Sequence, residues 1–393
     1  MALHKEPYGL IYNDDGSLCV TLRKDDTPFD GVHAFAVEEG TTNIVVSQWG
    51  DVVYNDKPTS YSSSNQPAYW QHGSGTWYKL LYVTTQEITL NPGDTVTISG
   101  WLKYKEGTYD YPILYWRRSD GSSLTEYTYQ YGKGSTITEV PKDGGWHYFS
   151  RTIKMNDDAE TQTLKTIWMD ITGSESAEGE GLSFQIQVEK KPFATSFVDG
   201  SRTNGSLLLF DDATVRSWVD NGIVIAGWWK FNYWSDDKHF RVFSCTESGG
   251  FNIEKFPNYD IRLAINDGGT YLRGYFQDPD VFADLDWHFV VFYYRPDTKV
   301  AKVYVDAVEQ TSVTLSQGLY FKEDKYYSLA IGAELEGSNN PPKAHLQASI
   351  LVANLFIGKP LDKAGHLIWS DPYIQQLYQA KRPFSVPPKM PVV

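Results

Sequence analysis

Cysteine is nearly missing from this chain: its 393 residues include two, Cys19 and Cys245. That excludes a framework of structural disulfides, and two thiols so far apart in sequence are expected to stay reduced. No apolar run approaches the ~20 residues that a bilayer-spanning helix needs, so membrane insertion is not expected. The opening MALHKEPYGLIYNDDGSLCV lacks a basic stretch followed by a hydrophobic one, so classical secretion is not expected either. Basic charge is also short, with 35 Lys and Arg against 49 Asp and Glu and a net charge of −14. Phosphate backbones are held by clustered Lys and Arg, which leaves nucleic acid an unexpected partner. The spacings of common catalytic sites are missing: there is no Gly-x-Ser-x-Gly, His-Glu-x-x-His or Cys-x-x-Cys. Nor is there a Glu-x-Asp-x-Glu or Glu-x-Asp-x-x-Glu run to aim an acid and a nucleophile into one cleft. These gaps argue against an enzyme.

What is plentiful is aromatic and turn-forming. Aromatic residues make up 15% of the chain, with 13 Trp and 27 Tyr, beside 32 Gly and 19 Pro. Such a composition points to an all-β protein with many turns, and the length suits two domains. The clearest segment is WHFVVFYYRPDTKVAKVYVDAVEQ, from Trp287. Phe289 to Tyr294 and Val300 to Val305 suit pleated, half-buried strands, Pro296-Asp297 supplies the turn, and Asp306-Ala307 turns the chain again. By the period of two, Trp287 and His288 are expected on opposite faces. A second Trp-His, Trp146-His147, opens WHYFSRTIKM. Thr95 to Tyr104 alternates with period two after the turn Asn91-Pro92-Gly93-Asp94, and Ile113-Leu114-Tyr115-Trp116 ends at a turn over 119–122. DPYIQQLYQA, 371–380, reads as one short helix.

Together these elements give two tandem β-sandwiches of jelly-roll type, with an extended N-terminal arm and a short C-terminal helix. The expected boundaries are an arm over 1–36, a first sandwich over 37–200, a second over 201–385 and a Pro-rich tail over 386–393. The arm, with Asp-rich turns at 14–16 and 25–26, could add a strand to another chain. The acidic loop 173–181 separates two strands of the first sandwich.

Sugar binding needs flat aromatic faces flanked by planar polar groups. Two loops offer them: Tyr109 and Tyr111 with Trp116 and Arg117, and Tyr233 with Trp234. The alternative for any of these rings is sandwich core, the role expected for Trp101, Trp146, Trp228 and Trp229. Calcium could be a structural cofactor, since Asp278, Asp280, Asp284 and Asp286 fall within nine residues. The alternative is a solvated acidic turn. Glu38, Glu39 and Glu189 are further oxygen donors at domain edges.

The second half resembles laminin-G-like (concanavalin A-like) domains. The resemblance rests on Ala226-Gly227-Trp228-Trp229-Lys230, the hairpin from Arg262 to Gly268, Trp287-His288 with Tyr304-Val305-Asp306, and the run from Ile350 to Leu361 followed by Ile374 to Tyr378. Ala307 stands where that pattern has Gly. The first sandwich resembles a carbohydrate-binding module of the galactose-binding type. The segments 36–43 and 187–202 are similar to those that frame such modules in phage tail, fibre and virion-surface proteins of Gram-positive hosts. The resemblance implies a non-enzymatic phage virion component, part of the tail, fibre or capsid decoration. Its expected partners are other virion proteins, further copies of itself and cell-surface polysaccharide. A purely architectural protein without a sugar ligand, and a glycoside hydrolase with an unrecognised site, are the other readings.

Overall fold

The computed structural model describes residues 4–5, 10–13, 17–23, 34–50, 59–61, 68–72, 80–122, 124, 129–130, 137–170, 179–198 and 200–381. The turns at 14–16 and 25–26, most of the acidic loop 173–181 and the Pro-rich tail lie outside the described residues. The regular structure of the described chain is mostly antiparallel strand, as its composition demands, with short helices at Asp212–Arg216, Trp218–Asn221 and Asp371–Ala380. Among the described residues no helix is long and apolar enough to cross a membrane.

Two compact units form, and their chain order is nested. One comprises 41–202; the other combines 1–40 with 203–393. The segment read as an arm is therefore not separate. Ala34–Val37 pairs antiparallel with Ile350–Gly358, Ile350 facing Val37 and Val352 facing Phe35. Its alternate residues Ala34 and Ala36 are small enough to lie flat in that sheet. Backbone bonds from Gly205 N to the Glu38 carbonyl, 2.8 Å, fasten the return of the chain.

The inserted unit has two five-stranded sheets. One runs Tyr129–Gln130, Trp146–Met155, Thr95–Glu106, Gly179–Glu189, Ala68–His72; the other runs Ile113–Arg117, Gln162–Asp170, Leu80–Leu90, Val45–Gly50, Thr59–Tyr61. Between them Ile98, Leu102, Tyr104, Trp116, Phe149, Ile167 and Ile186 pack into one core. The unit closes on itself where Thr41–Thr42 pairs with Ser201–Arg202.

The second unit also has two sheets, and their different coverage matters for function. The longer has nine strands; its centre is Ile350–Gly358, Ile223–Phe231, His288–Arg295 and Val300–Val305. One face of it, with Ile225, Trp229, Val290 and Phe292, joins the main core. Its other face, with Val224, Trp228, Phe289 and Val291, is covered by Trp369 and the helix Asp371–Ala380, Tyr378 stacking on Trp228 at 5.9 Å. Burial on both faces explains why IVIAGWWKF and HFVVFYYR are continuous apolar runs. The six-stranded sheet runs Leu207–Leu209, Leu329–Ile331, Phe240–Ser244, Phe251–Lys255, Arg262–Asp267, Thr270–Tyr275. Phe251, Ile253, Leu263 and Ile265 turn one face to the core. The intervening positions, Asn252 and Ala264, lie on the other, with Glu254, Arg262 and Asn266 in the same phase.

Candidate functional site

Period-two alternation on neighbouring strands assembles the site. Phe251–Lys255 presents Asn252 and Glu254 away from the core, Arg262–Asp267 presents Arg262, Ala264 and Asn266, and Thr270–Tyr275 presents Tyr271, Arg273 and Tyr275. The register sets Glu254 opposite Arg262, Ala264 opposite Arg273, and Arg262 opposite Tyr275. Arg241 and Glu334 complete one side, and the turn through Thr246, Glu247 and Ser248 makes a wall. The result is a groove of about 250 Å³ lined by these groups, Asn266 and Tyr275 excepted, and by Phe256.

Its floor is a buried ionic network. The Arg241 and Glu254 side chains are 5% and 6% exposed. Arg241 Nη1 donates to Glu254 Oε2 and Nη2 to Glu334 Oε1 at 3.0 Å. Arg262 donates from Nε and Nη2 to Glu254 Oε1, at 3.0 and 2.9 Å. The Arg262 guanidinium also lies 4.6 Å from the centre of the Phe256 ring, an attractive placement over an aromatic face. His239 meets Phe256 edge-on at 4.0 Å; burial, then the nearby Arg241 charge, lowers its pKa. Asn252 Nδ2 donates to Glu254 Oε2 at 2.9 Å. A carboxylate needs a donor, so this contact fixes the amide orientation and leaves Asn252 Oδ1 as the acceptor without a partner. Charged groups held this way are pre-positioned to receive a ligand's hydroxyl and acid groups.

The structure disperses the residues expected from the sequence. Trp116 is wholly buried beside Leu114 in the core of the inserted unit, so it offers no sugar-facing ring. Its strand alternates strictly, and Trp116 shares the inward phase. Arg117 takes the outward phase, its guanidinium 5.7 Å from the Tyr115 ring centre and Nη1 donating to the Gly121 carbonyl at 3.3 Å. Tyr109 and Tyr111 are half-buried, and the Tyr109 carbonyl accepts from Tyr104 Oη at 2.6 Å. Trp234 stacks on Phe240 at 4.7 Å with Lys255 Nζ 5.6 Å from its ring centre, and Tyr233 packs against the same core. The groove, one strand further on, does not include them.

The four aspartates proposed for calcium do not converge. Among the described residues no three His, Cys, Asp or Glu side chains are placed to hold a metal ion. Asp278 caps the Asp280 amide at 3.0 Å, and Asp284 accepts from the Asp286 amide and from His288 Nε2, both at 2.9 Å. Glu189 is likewise occupied, accepting from Thr41 Oγ1 and from the amide and hydroxyl of Thr195. Trp287 and His288 do turn to opposite sides, Trp287 towards the helix-covered face and His288 against Phe282.

Two tryptophans expected in a core are not there. Trp101 is half-buried and Trp146 is 40% exposed. Both lie on the outward face of their sheet with Tyr148 and Phe184, Trp101 edge-on to Tyr148 at 5.6 Å and Trp146 to Phe184 at 6.3 Å.

Residues 199–349 match a laminin G family model described as "Concanavalin A-like lectin/glucanases superfamily". No curated protein matches the chain. Among solved structures, the chain is similar to domains LG4-5 of the mouse laminin alpha1 chain, at 12% identity over 75% of this chain and 92% of that one, with a TM-score of 0.29. It is similar to the binding domain of botulinum neurotoxin DC in complex with SialylT, at 11% identity over 42% of this chain and 37% of that one, TM-score 0.30. Trypanosoma rangeli sialidase is a third, at 8% identity over 95% of this chain and 66% of that one, TM-score 0.29. The chain spans roughly two fifths of the neurotoxin binding domains it matches, between 37% and 43% of their length.

Proposed function

We propose that this protein binds glycans without processing them, and that the groove on the six-stranded sheet of the second unit is its combining site. One observation carries the reading: an outward sheet face presents planar polar groups, Arg262, Arg273 and Asn252, beside the rings of Phe256 and Tyr271, and a buried ionic network centred on Glu254 holds Arg262 and Asn252 in place. Saccharides are recognised by such a combination, because ring faces pack on aromatics while hydroxyls need fixed donors and acceptors. The family match over residues 199–349 supports it, since that superfamily is named for lectins as well as glucanases. Glu254 argues against hydrolysis: both its oxygens are engaged by guanidinium and amide donors. A glycosidase nucleophile or acid has to face the glycosidic bond instead.

We further propose a place for it on a phage particle, as a tail, fibre or capsid-surface component that contacts other virion proteins and assembles with copies of itself. The supporting feature is the pair of phage-like framing segments, 36–43 and 187–202. Their ends meet where Thr41 pairs with Arg202 and bound the inserted unit as a module.

Glycan arrays of host-wall and capsular polysaccharides test the binding. The wild-type chain is expected to bind at least one, and Asn252→Ala and Arg273→Ala to weaken it. No signal on any glycan would favour the architectural reading, and new reducing ends after incubation with wall polysaccharide would establish a hydrolase. Antibody labelling of purified particles tests the placement; label confined to unassembled material would count against it.

A further inference from the structure

The groove is lined by three glutamates, Glu247, Glu254 and Glu334, and three arginines, Arg241, Arg262 and Arg273, but they are not paired one to one. Glu254 is held by Arg241 and Arg262, Glu334 by Arg241, and Glu247 by Lys325 at 3.3 Å. Those three carboxylates therefore have their cations, and one remains: Arg273 lines the groove and makes no ion pair or hydrogen bond with the described residues. Arg273 thus stands without a counter-charge in contact, on a chain whose net charge is −14. Arg273 has room around it. It is exposed, and the residue opposite it on the neighbouring strand is Ala264, the smallest side chain on that face of the strand. Tyr271 and Tyr275 flank it at the alternate positions of its own strand, and Tyr275 is 51% exposed. The second unmet group belongs to Asn252, which also lines the groove: the residue is 4% exposed and its buried Oδ1 lacks a donor. A buried carbonyl in that state calls for a hydroxyl or amide from a ligand.

We infer that the groove takes an acidic saccharide, its carboxylate or sulfate on Arg273 and a ring hydroxyl or amide donating to Asn252 Oδ1. This rests on the glycan reading and narrows it. An arginine fork fits either oxyanion in bidentate fashion, Tyr271 and Phe256 supply ring faces, and the buried amide selects a donor at a fixed place. A neutral saccharide would satisfy Asn252 and leave Arg273 without its counter-charge.

The test uses the full chain and matched probes: polygalacturonate, hyaluronan and polysialic acid, each beside its carboxyl-reduced counterpart, and a sulfated galactan beside its desulfated form. Titration calorimetry in 50 mM and 500 mM salt is the readout. At least one acidic member is expected to bind tenfold or more tightly than its neutral partner and to weaken in high salt. Arg273→Gln should weaken the acidic member far more than the neutral one and so abolish that difference. Asn252→Ala should weaken both members alike, and Trp146→Ala, on the other unit, should change neither. Preference within the uronate and sialate pairs, or within the sulfated pair alone, identifies which oxyanion the groove takes. Equal binding of acidic and neutral members overturns the charge selection but leaves glycan binding standing. Silence from every probe overturns the selection and counts against the glycan reading as well. Loss of binding in Trp146→Ala, with Arg273→Gln unaffected, would place the ligand elsewhere.

Discussion

Glu254 is the residue on which the groove depends. It accepts from Arg241, Arg262 and Asn252 while only 6% of its side chain is exposed. Replacing it with Gln keeps the shape but leaves Arg262 without its carboxylate and Arg241 with Glu334 alone, in a poorly solvated place. Breaking one side of a buried ion pair in this way costs about 3–5 kcal/mol. Urea unfolding of Glu254→Gln should register a loss of that order, whereas Arg273→Gln, at an exposed site with no ion pair to break, should stay within about 0.5 kcal/mol of wild type. A small effect at Glu254 would mean that the network is solvated and does not pre-position the site. Little of this was legible in the sequence. FNIEK begins with apolar and polar residues in alternation, and RLAIND breaks that pattern at Ala264, but only strand pairing sets Glu254 beside Arg262. The aromatic loops drew attention instead, and one rule already in use would have removed Trp116: in ILYWR it has the phase of Leu114, which faces the core. Conversely, Trp101 shares its outward phase with Lys103, a sign that its ring is not central.

Among the elements, the meander from His288 to Thr314 was the most legible, because Pro296-Asp297 and Asp306-Ala307 punctuate strands of β-branched and aromatic residues. What the sequence hid is the clasp at its mouth. Asp306 and Ala307 both adopt left-handed backbone, φ 52° and 64°, a turn that favours Gly or Asn. The Asp306 side chain offsets that strain by accepting from the Phe289 amide at 2.9 Å and from His288 Nδ1 at 2.7 Å. Asp284, read as a calcium ligand, instead takes His288 Nε2 at 2.9 Å. Two carboxylates on two ring nitrogens require both to be donors, so the imidazolium is the form that fits. Burial works against the charge, but Asp306 and Asp284 outweigh it and raise the pKa above its ordinary 6.5. The sign follows: the clasp contributes fully below about pH 6.5 and its contribution is lost as pH rises through the raised folded value. Unfolding free energy measured across that range should fall with pH in the wild type, by at most about 1.4 kcal/mol per unit. In His288→Gln this slope should vanish. An equal slope in both proteins would show that another group titrates.

At the scale of the whole chain, the all-β class, the two sandwiches and the helix over 371–380 were legible from alternation, turn residues and one helical repeat. The nesting was not, because a four-residue strand such as AFAV carries no mark of which sheet it joins. Its partner, Ile350–Gly358, lies more than 300 residues away. Within each unit the points of insertion are closed: Thr41 pairs with Arg202 in one, and Gly40 N donates to Asn204 Oδ1 at 2.6 Å in the other. Units whose ends meet tolerate excision, since joining the ends adds little loop entropy. Residues 41–202 alone, and residues 1–40 joined through Gly-Ser to 203–393, should therefore each unfold in one cooperative transition by calorimetry. Residues 203–393 alone should behave differently. Without Ala34–Val37, the strand Ile350–Gly358 has an open edge, and an unpaired edge invites association. That fragment should melt lower than the joined form and self-associate in sedimentation. If it matches the joined form in both respects, the first 40 residues are an appendage. Because the groove draws all its lining residues from 203–393, the joined form should also keep the full chain's saccharide binding, which separates the site from the inserted unit in a single titration.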